Sequence, residues 1–247
     1  MIVLFTDFGI GSSYMGQMHA VLHAHAPGSP VIDLFADAPT YNPMAAGYLL
    51  AAHVTGGGAF PPGTIFFCVV DPGVGGDRPG MVLSTGGHVF VGPGNGLFEI
   101  VARRATDHGG YSAQRITWQP ERLSPSFHGR DLFAPVAAAY ACGKSVAATD
   151  LADDLWRHPD WPDDLDQVIY LDSFGNAMIG LRADGLAENQ IISVGDYKLS
   201  RAHTFGDVPV GQPFWYENAN GLVEIAVNQG NASQQLKLRL GSAVVLA

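Results

Sequence analysis

The sequence predicts two domains: an α/β domain over residues 1–150, a mostly parallel sheet with helices on both faces, and a small all-β barrel over residues 167–247. Three observations carry this. From Ile2 to about Lys144 short apolar runs alternate with stretches of helical period. From Lys144 to about Asp166 the texture changes to "ATDLADDLWRHPDWPDDLD", rich in Asp, Pro and Trp, which reads as a surface linker over 151–166. Beyond it lie short apolar segments separated by turn residues, without a convincing helix.

Taken in order, "IVLF" predicts a first strand, "SYMGQMHAVLHAHA" a helix, "VIDLF" a strand, "PMAAGYLLAAHV" a helix and "TIFFCVV" a third strand. "MVLSTGGHVFVG" reads as a hairpin with a Gly-Gly turn. "GLFEIVARRA" and "LFAPVAAAYACG" supply two more helices, the second capped by Asp131 and ended by Gly143. In the second domain "QVIYLD", "NAMIGL", "QIISV", "PFWYENA", "LVEIAVN", "QLKLRL" and "SAVVLA" read as strands.

Composition narrows the function. The 247 residues are 47% hydrophobic, enough for a sizeable core, and the net charge is -10 with only 13 Lys and Arg spread along the chain. A nucleic-acid partner is therefore not expected, because phosphate neutralisation needs clustered cations. Cys68 and Cys142 have no ligand spacing and read as buried free thiols. "MIVLFTDFG" lacks the marks of a signal peptide and is too short to span a bilayer, so no membrane association and a cytoplasmic location are expected.

In an open α/β sheet a ligand sits beyond the carboxyl ends of the strands. Three polar clusters stand there: "TDFG" after the first strand, Asp33 within the second, and "DPGVGGDR" after the third. "GVGGDRPG" is not a phosphate-binding loop of the Walker type, since Arg78 is followed by Pro79 where Lys and Ser or Thr are needed, and it does not match GxGxxG. Asp71 before Pro72 is then either a turn residue or a catalytic corner. "SPSFHGRDLFAP" adds His128 just before a helix, and a His beside a carboxylate and a guanidinium can position or deprotonate water. Asp7 suits two adjacent ribose hydroxyls or an Asx turn equally well. His19 and His23 stand at i and i+4, but without a third ligand they read as a solvated helix face, and no metal is expected. Tyr41, Phe174, Phe205 and Trp215 read as core or barrel residues, with stacking on a base the minority reading.

"TDFG…YMGQMHAVL", "VVDPGVGGDR", "GPGNGLFE", "SFHGRDLFAPVAA", "DSFGNAMI" and "IAVNQGNAS" follow one another in order. Together they make the chain resemble, over its whole length, the S-adenosyl-L-methionine hydroxide adenosyltransferase family, relatives of the fluorinating and chlorinating enzymes. The resemblance implies hydrolysis of S-adenosyl-L-methionine (SAM) to adenosine and L-methionine by water or hydroxide attack at the ribose C5′. It implies no cofactor, and a homotrimer whose sites lie between neighbouring subunits. The family's Asp, Arg and His triad falls on Asp71, Arg78 and His128. The halogenating relatives carry Tyr in place of an Asp like Asp71, and Tyr-Ser in place of a pair like His128 and Gly129. Asp7 matches the ribose-binding carboxylate and Tyr41 the aromatic that stacks on the sugar or adenine. Asp172, Phe174 and Asn176 of "DSFGN" match further substrate contacts, with Phe205 and Ala232 beside them.

Some positions depart from the family. Ser12 stands where the family usually has an Asp for the methionine amino group, a loss expected to weaken binding by roughly 1.5–3 kcal/mol. "DLFAD" lacks a His three residues after Asp33, and Gly94 replaces a usual Asp or Asn. These departures leave room for a same-fold enzyme acting on another adenosyl substrate, or a non-catalytic nucleoside-binding protein. The second would have no use for the triad.

Overall fold

The computed structural model describes residues 1–55, 59–105 and 109–247. They fall into two compact units, Met1–Gly47 with Ala59–Trp161, and Tyr48–Gly58 with Pro162–Ala247.

In the first unit β1 (Ile2–Thr6) and β3 (Ile65–Val69) are buried along their whole length, as strands covered on both faces must be. β2 (Val31–Phe35) pairs with β1, which pairs with β3, and β3 pairs with β5 (His88–Pro93), all in parallel. From β5 outward neighbouring strands alternate in direction. β4 (Gly80–Thr85) turns into β5 through Gly86 and Gly87, both at positive φ, as the hairpin signal predicted. β6 (Tyr111–Ile116) and β7 (Ala148–Asp150) continue it antiparallel, giving the order β2-β1-β3-β5-β4-β6-β7. The sheet is thus mixed rather than mostly parallel. The helical crossovers between β1, β2 and β3 let these strands run parallel, whereas the tight Gly-Gly turn sets β4 and β5 antiparallel.

Helices cover both faces. On one, Met15, Met18 and Leu22 of α1 (Ser13–His25), spaced i, i+3, i+7, pack with Val136 and Ala137 of α4 (Ala134–Ala141) against Ile2, Leu4, Phe67 and Val91. On the other, Phe66 stacks on Phe90, which meets Phe98 at the start of α3 (Glu99–Arg104). α2 (Pro43–Thr55) follows β2, its residues from Tyr48 on being counted with the second unit.

The expected helix start at Asp131 is corrected. A π-helical turn over Gly129–Phe133 precedes α4, and Asp131 lies inside it, accepting the Ser124 N–H at 2.8 Å and pairing with Arg130 at 2.6 Å. The segment after Asp150 joins the first unit as far as Trp161, with Leu151 and Trp156 buried. Cys68 is buried, but Cys142 is exposed just past the end of α4, against the expectation.

The second unit holds two antiparallel sheets, and neither closes. β8 (Leu165–Leu171), β9 (Ala177–Arg182), β13 (Leu222–Val227) and β12 (Pro213–Glu217) form one; β10 (Ile192–Val194), β11 (Tyr197–Leu199) and β14 (Val245–Leu246) form the other. The predicted barrel is therefore two open sheets, linked among the described residues by isolated bridges at Gln167–Ala243 and Arg201–Trp215. Strands of two or three residues are too short to carry a continuous ladder around. "QLKLRL" is no strand either: α5 (Ala232–Gln235) runs into it and Lys237 takes φ +56, while Leu236 and Leu238 turn into the core around Trp215 and Ile225.

Among the described residues no helix is long and apolar enough to cross a membrane.

Candidate active site

β3 delivers its last buried residues to Val70 and then releases the chain into the glycine-rich loop. Asn95 holds this exit, donating from Nδ2 to the Val70 carbonyl at 3.0 Å while its Oδ1 accepts the Leu97 N–H. The loop curls through Val74 N–H to Asp71 carbonyl and Gly76 N–H to Gly73 carbonyl contacts, and brings Arg78 back over Asp71. Gly75 is fixed at φ +80, and a Cβ there would lie 2.4 Å from the Pro125 carbonyl oxygen. The loop therefore rests backbone to backbone on the 124–128 segment, which carries His128.

Arg78 joins the three polar groups. Its Nε donates to both Asp71 oxygens at 3.1 and 3.0 Å, and its Nη2 donates to Asp71 Oδ2 at 2.6 Å and to His128 Nδ1 at 2.9 Å. The Phe133 ring lies 5.2 Å beneath the guanidinium, and the Asp71 and Arg78 side chains are only 4% and 11% exposed. An arginine can only donate, so His128 Nδ1 must accept, and the neutral imidazole carries its proton on Nε2. Burial and the Arg78 charge lower the His128 pKa from its ordinary 6.5, against the smaller opposing pull of Asp71 and Asp131.

Asp7 follows β1 toward the same place. A cavity of about 100 Å³ is lined by Asp7, Phe8, Tyr41, Asp71, Phe127 and His128, among others. Burial pushes the Asp7 carboxyl up; the Tyr41 N–H, donating to Oδ2 at 3.1 Å, opposes this, and the Asp71 charge adds to it. Tyr41 takes φ +58 and is 76% exposed, so its ring is a platform rather than core. Ser12 is the N-cap of α1 yet caps nothing: its Oγ is buried with no hydrogen-bond partner among the described residues, and it is not on the cavity wall. Asp33 also lies elsewhere, bonded to His19 Nε2 at 2.9 Å. Among the described residues no group of three or more His, Cys, Asp or Glu could hold a metal.

The second unit has its own cavity, about 520 Å³, lined by Asp172, Phe174, Asn176 and Phe205 together with Tyr216 and Glu224. Asp172 organises the β8–β9 turn: Oδ1 accepts the Phe174 and Asn176 N–H groups, and Oδ2 accepts Asn176 Nδ2. Gly175 at φ +84 lets the turn close on Asn231, whose amide lies 2.2 Å from where a Cβ would stand. Phe174 is left 75% exposed at the rim. Ala232 is fully buried in that unit's core and does not line the cavity.

Sequence reasoning missed Phe133 beneath Arg78 and Asn95 behind Val70, each contact being tertiary, and missed Glu224, which an alternating strand pattern presents as an ordinary outward residue.

Residues 2–150 match the model of the SAM hydroxide adenosyltransferase N-terminal domain, and residues 166–245 that of its C-terminal domain. The chain is 32% identical over 259 residues to the (R)-S-adenosyl-L-methionine hydrolase of Thermus thermophilus, covering 99% of this chain and 98% of that one. It is 33% identical over 252 residues to the Salinispora arenicola protein of the same name, covering 96% and 93%. The crystal structure of an uncharacterized conserved protein from Thermotoga maritima superposes with a TM-score of 0.83 over the full length of both chains, at 29% identity. The chain belongs to the SAM hydroxide adenosyltransferase family.

Proposed function

We propose that this protein hydrolyses S-adenosyl-L-methionine to adenosine and L-methionine. One observation carries the reading: Asp71, Arg78 and His128 are hydrogen-bonded into a single constellation, of which Asp71 and His128 stand on the wall of a cavity that Asp7 also lines. Methionine leaves a sulfonium as a neutral thioether and needs no acid, so the enzyme's task is to aim and activate an oxygen nucleophile. Water attacks C5′, the C5′–S bond breaks, and one proton is released. Arg78 cannot accept that proton and His128 Nδ1 is already engaged, which leaves the Asp71 carboxylate as the acceptor. His128 Nε2–H donates to the oxygen and stabilises its hydroxide character.

The other roles are assigned by the resemblance and fit the side chains found. Asp7, with lone pairs to spare beside the Tyr41 N–H, takes the ribose hydroxyls, and Tyr41 stacks on the nucleoside. Phe174, Asn176 and Phe205 take the adenine, and Asp172 holds the turn that carries Phe174 and Asn176. Ser12, whose buried Oγ lies off the wall of the Asp7 cavity, supplies no carboxylate for the methionine amino group. We place the enzyme in the cytoplasm as a homotrimer, in which neighbouring copies supply the two cavities; light scattering on the purified protein tests the assembly.

Incubation with SAM in H2(18)O is expected to give adenosine labelled at O5′ and unlabelled methionine. Binding without turnover would instead identify a nucleoside sensor and overturn the reading. His128→Gln, which keeps an N–H donor, is expected to retain at least about tenfold more kcat/KM than His128→Ala. The parent's activity falls on the acid side, below pH 6.5, as the imidazole protonates and its Nδ1–H opposes Arg78. The Gln variant lacks that acid limb, and equal loss in both variants would make His128 the base. Gly75→Ala, which forces the loop off Pro125, is expected to lower kcat/KM by about 10²-fold with a stability loss of only about 1–2 kcal/mol, read from turnover and a denaturant midpoint.

A further inference from the structure

Glu224 is a buried acid, 3% exposed, that lines the cavity of the second unit and takes no part in the chemistry at Asp71. It stands on β13 directly across from Tyr216 on β12. Its Oε1 accepts the Tyr216 hydroxyl at 2.6 Å and its Oε2 accepts Asn218 Nδ2 at 2.9 Å. Asn218 cannot turn its amide round, because its Oδ1 already accepts the Asn220 and Leu222 N–H groups. Among the described residues each Glu224 oxygen thus accepts one hydrogen bond and keeps a further lone pair.

The polar groups of this cavity are weighted toward acceptors. Asp172 is occupied by three donors of its own turn, and no Lys, Arg or His is among the lining residues. These lining residues offer an anionic ligand group no counter-charge, and the Glu224 carboxylate favours an N–H donor. Burial pushes the Glu224 carboxyl up, against the hydrogen bonds from Tyr216 and Asn218 that favour the carboxylate. The adenosyl substrate carries such donors on the adenine 6-amino group and the methionine ammonium. Phe174, Phe205 and Val227 on the same wall suit a flat base rather than a solvated ammonium.

We propose that Glu224 is the specificity residue for a 6-amino purine, its carboxylate accepting the exocyclic N–H and rejecting a 6-oxo base. This rests on the assignment of the second unit's cavity to the adenosyl group. A 6-oxo purine would set a carbonyl oxygen against the carboxylate, and a 6-unsubstituted purine would leave the carboxylate without its donor. In Glu224→Gln the fixed Asn218 amide directs the new Oε1 toward itself and the NH2 toward Tyr216. The pocket then presents a donor where it had an acceptor.

The test is calorimetric titration of adenosine, purine riboside and inosine, ligands that need no turnover. The parent is expected to bind adenosine at least about 30-fold more tightly than inosine and about 5-fold more tightly than purine riboside. Glu224→Gln is expected to bring adenosine and inosine within about 3-fold, while Tyr216→Phe, which leaves the carboxylate in place, keeps the preference. The proposal is overturned if the parent binds all three ligands alike or binds none, if folded Glu224→Gln keeps the parent's ratio, or if Tyr216→Phe abolishes it. Should the Gln variant fail to fold, the parent's three affinities and the Tyr216→Phe ratio decide. Discrimination without SAM cleavage would sink the hydrolase reading and leave this one standing; cleavage without discrimination would do the reverse.

Discussion

Arg78→Lys is expected to lower kcat/KM for SAM hydrolysis by about 10³-fold or more while the protein stays folded. The loss follows from geometry rather than charge, since lysine keeps the positive charge. Arg78 makes three donations to Asp71 and one to His128 from two nitrogens of a single plane. An ammonium on a flexible stem can meet one partner well but cannot span both in a fixed plane. Two consequences compound. Asp71 loses the fork that sets its orientation toward the water, and His128 Nδ1 loses the donor that holds the imidazole in its Nε2–H form. A cation over Phe133 remains possible for lysine, so the midpoint of unfolding is expected to move little. Steady-state kinetics with a melting curve checks both halves. A variant within tenfold of the parent would show that Arg78 serves only to neutralise Asp71.

How much of this could be read in advance depended on how local each cause was. β1, β3 and the Gly86–Gly87 hairpin were legible because buried apolar runs and a positive-φ turn are local properties. The π-turn over Gly129–Phe133 was not, because Asp131 is drawn to the Ser124 N–H instead of capping a helix. "QLKLRL" alternates like a strand, yet Leu236 and Leu238 reach the core through a left-handed Lys237, a choice made by packing. Barrel closure likewise depends on register between distant strands, which no single segment encodes. In the site, Asp71, Arg78 and His128 were legible as motif residues. The resemblance grouped them as a triad, but no local property of the sequence joins them, for Arg78 and His128 stand 50 positions apart and meet because Gly75 allows one loop to lie on another.

The same distance in sequence hides the strongest stability effect expected here. Glu99→Gln is expected to destabilise the protein by about 3–5 kcal/mol at pH 7. Glu99 opens α3 with its side chain fully buried, and its oxygens accept Arg157 Nε at 2.6 Å, Arg103 Nη2 at 2.8 Å and the His158 N–H at 2.9 Å. Arg157 also lies over the Tyr111 and Trp156 rings, and Arg103 Nη1 reaches the Trp161 carbonyl at 2.8 Å. The carboxylate therefore fastens the segment from Asp153 to Trp161 to the rest of the first unit, and a neutral amide removes the buried negative charge on which Arg157 and Arg103 converge. Burial alone would raise the Glu99 pKa, but hydrogen bonds from Arg157, His158 and Arg103 overcome it and hold the carboxyl at about 2, below its ordinary 4.5. A carboxylate lowered in the folded state stabilises fully above pH 4.5 and loses that contribution as pH falls toward 2, a span worth about 3 kcal/mol. Denaturant midpoints should thus separate parent and variant widely at pH 7 and much less at pH 3. A gap that is the same at both values would mean that Glu99 acts through packing alone, and a gap below about 1 kcal/mol at pH 7 would mean that the two arginines find other partners when it is gone.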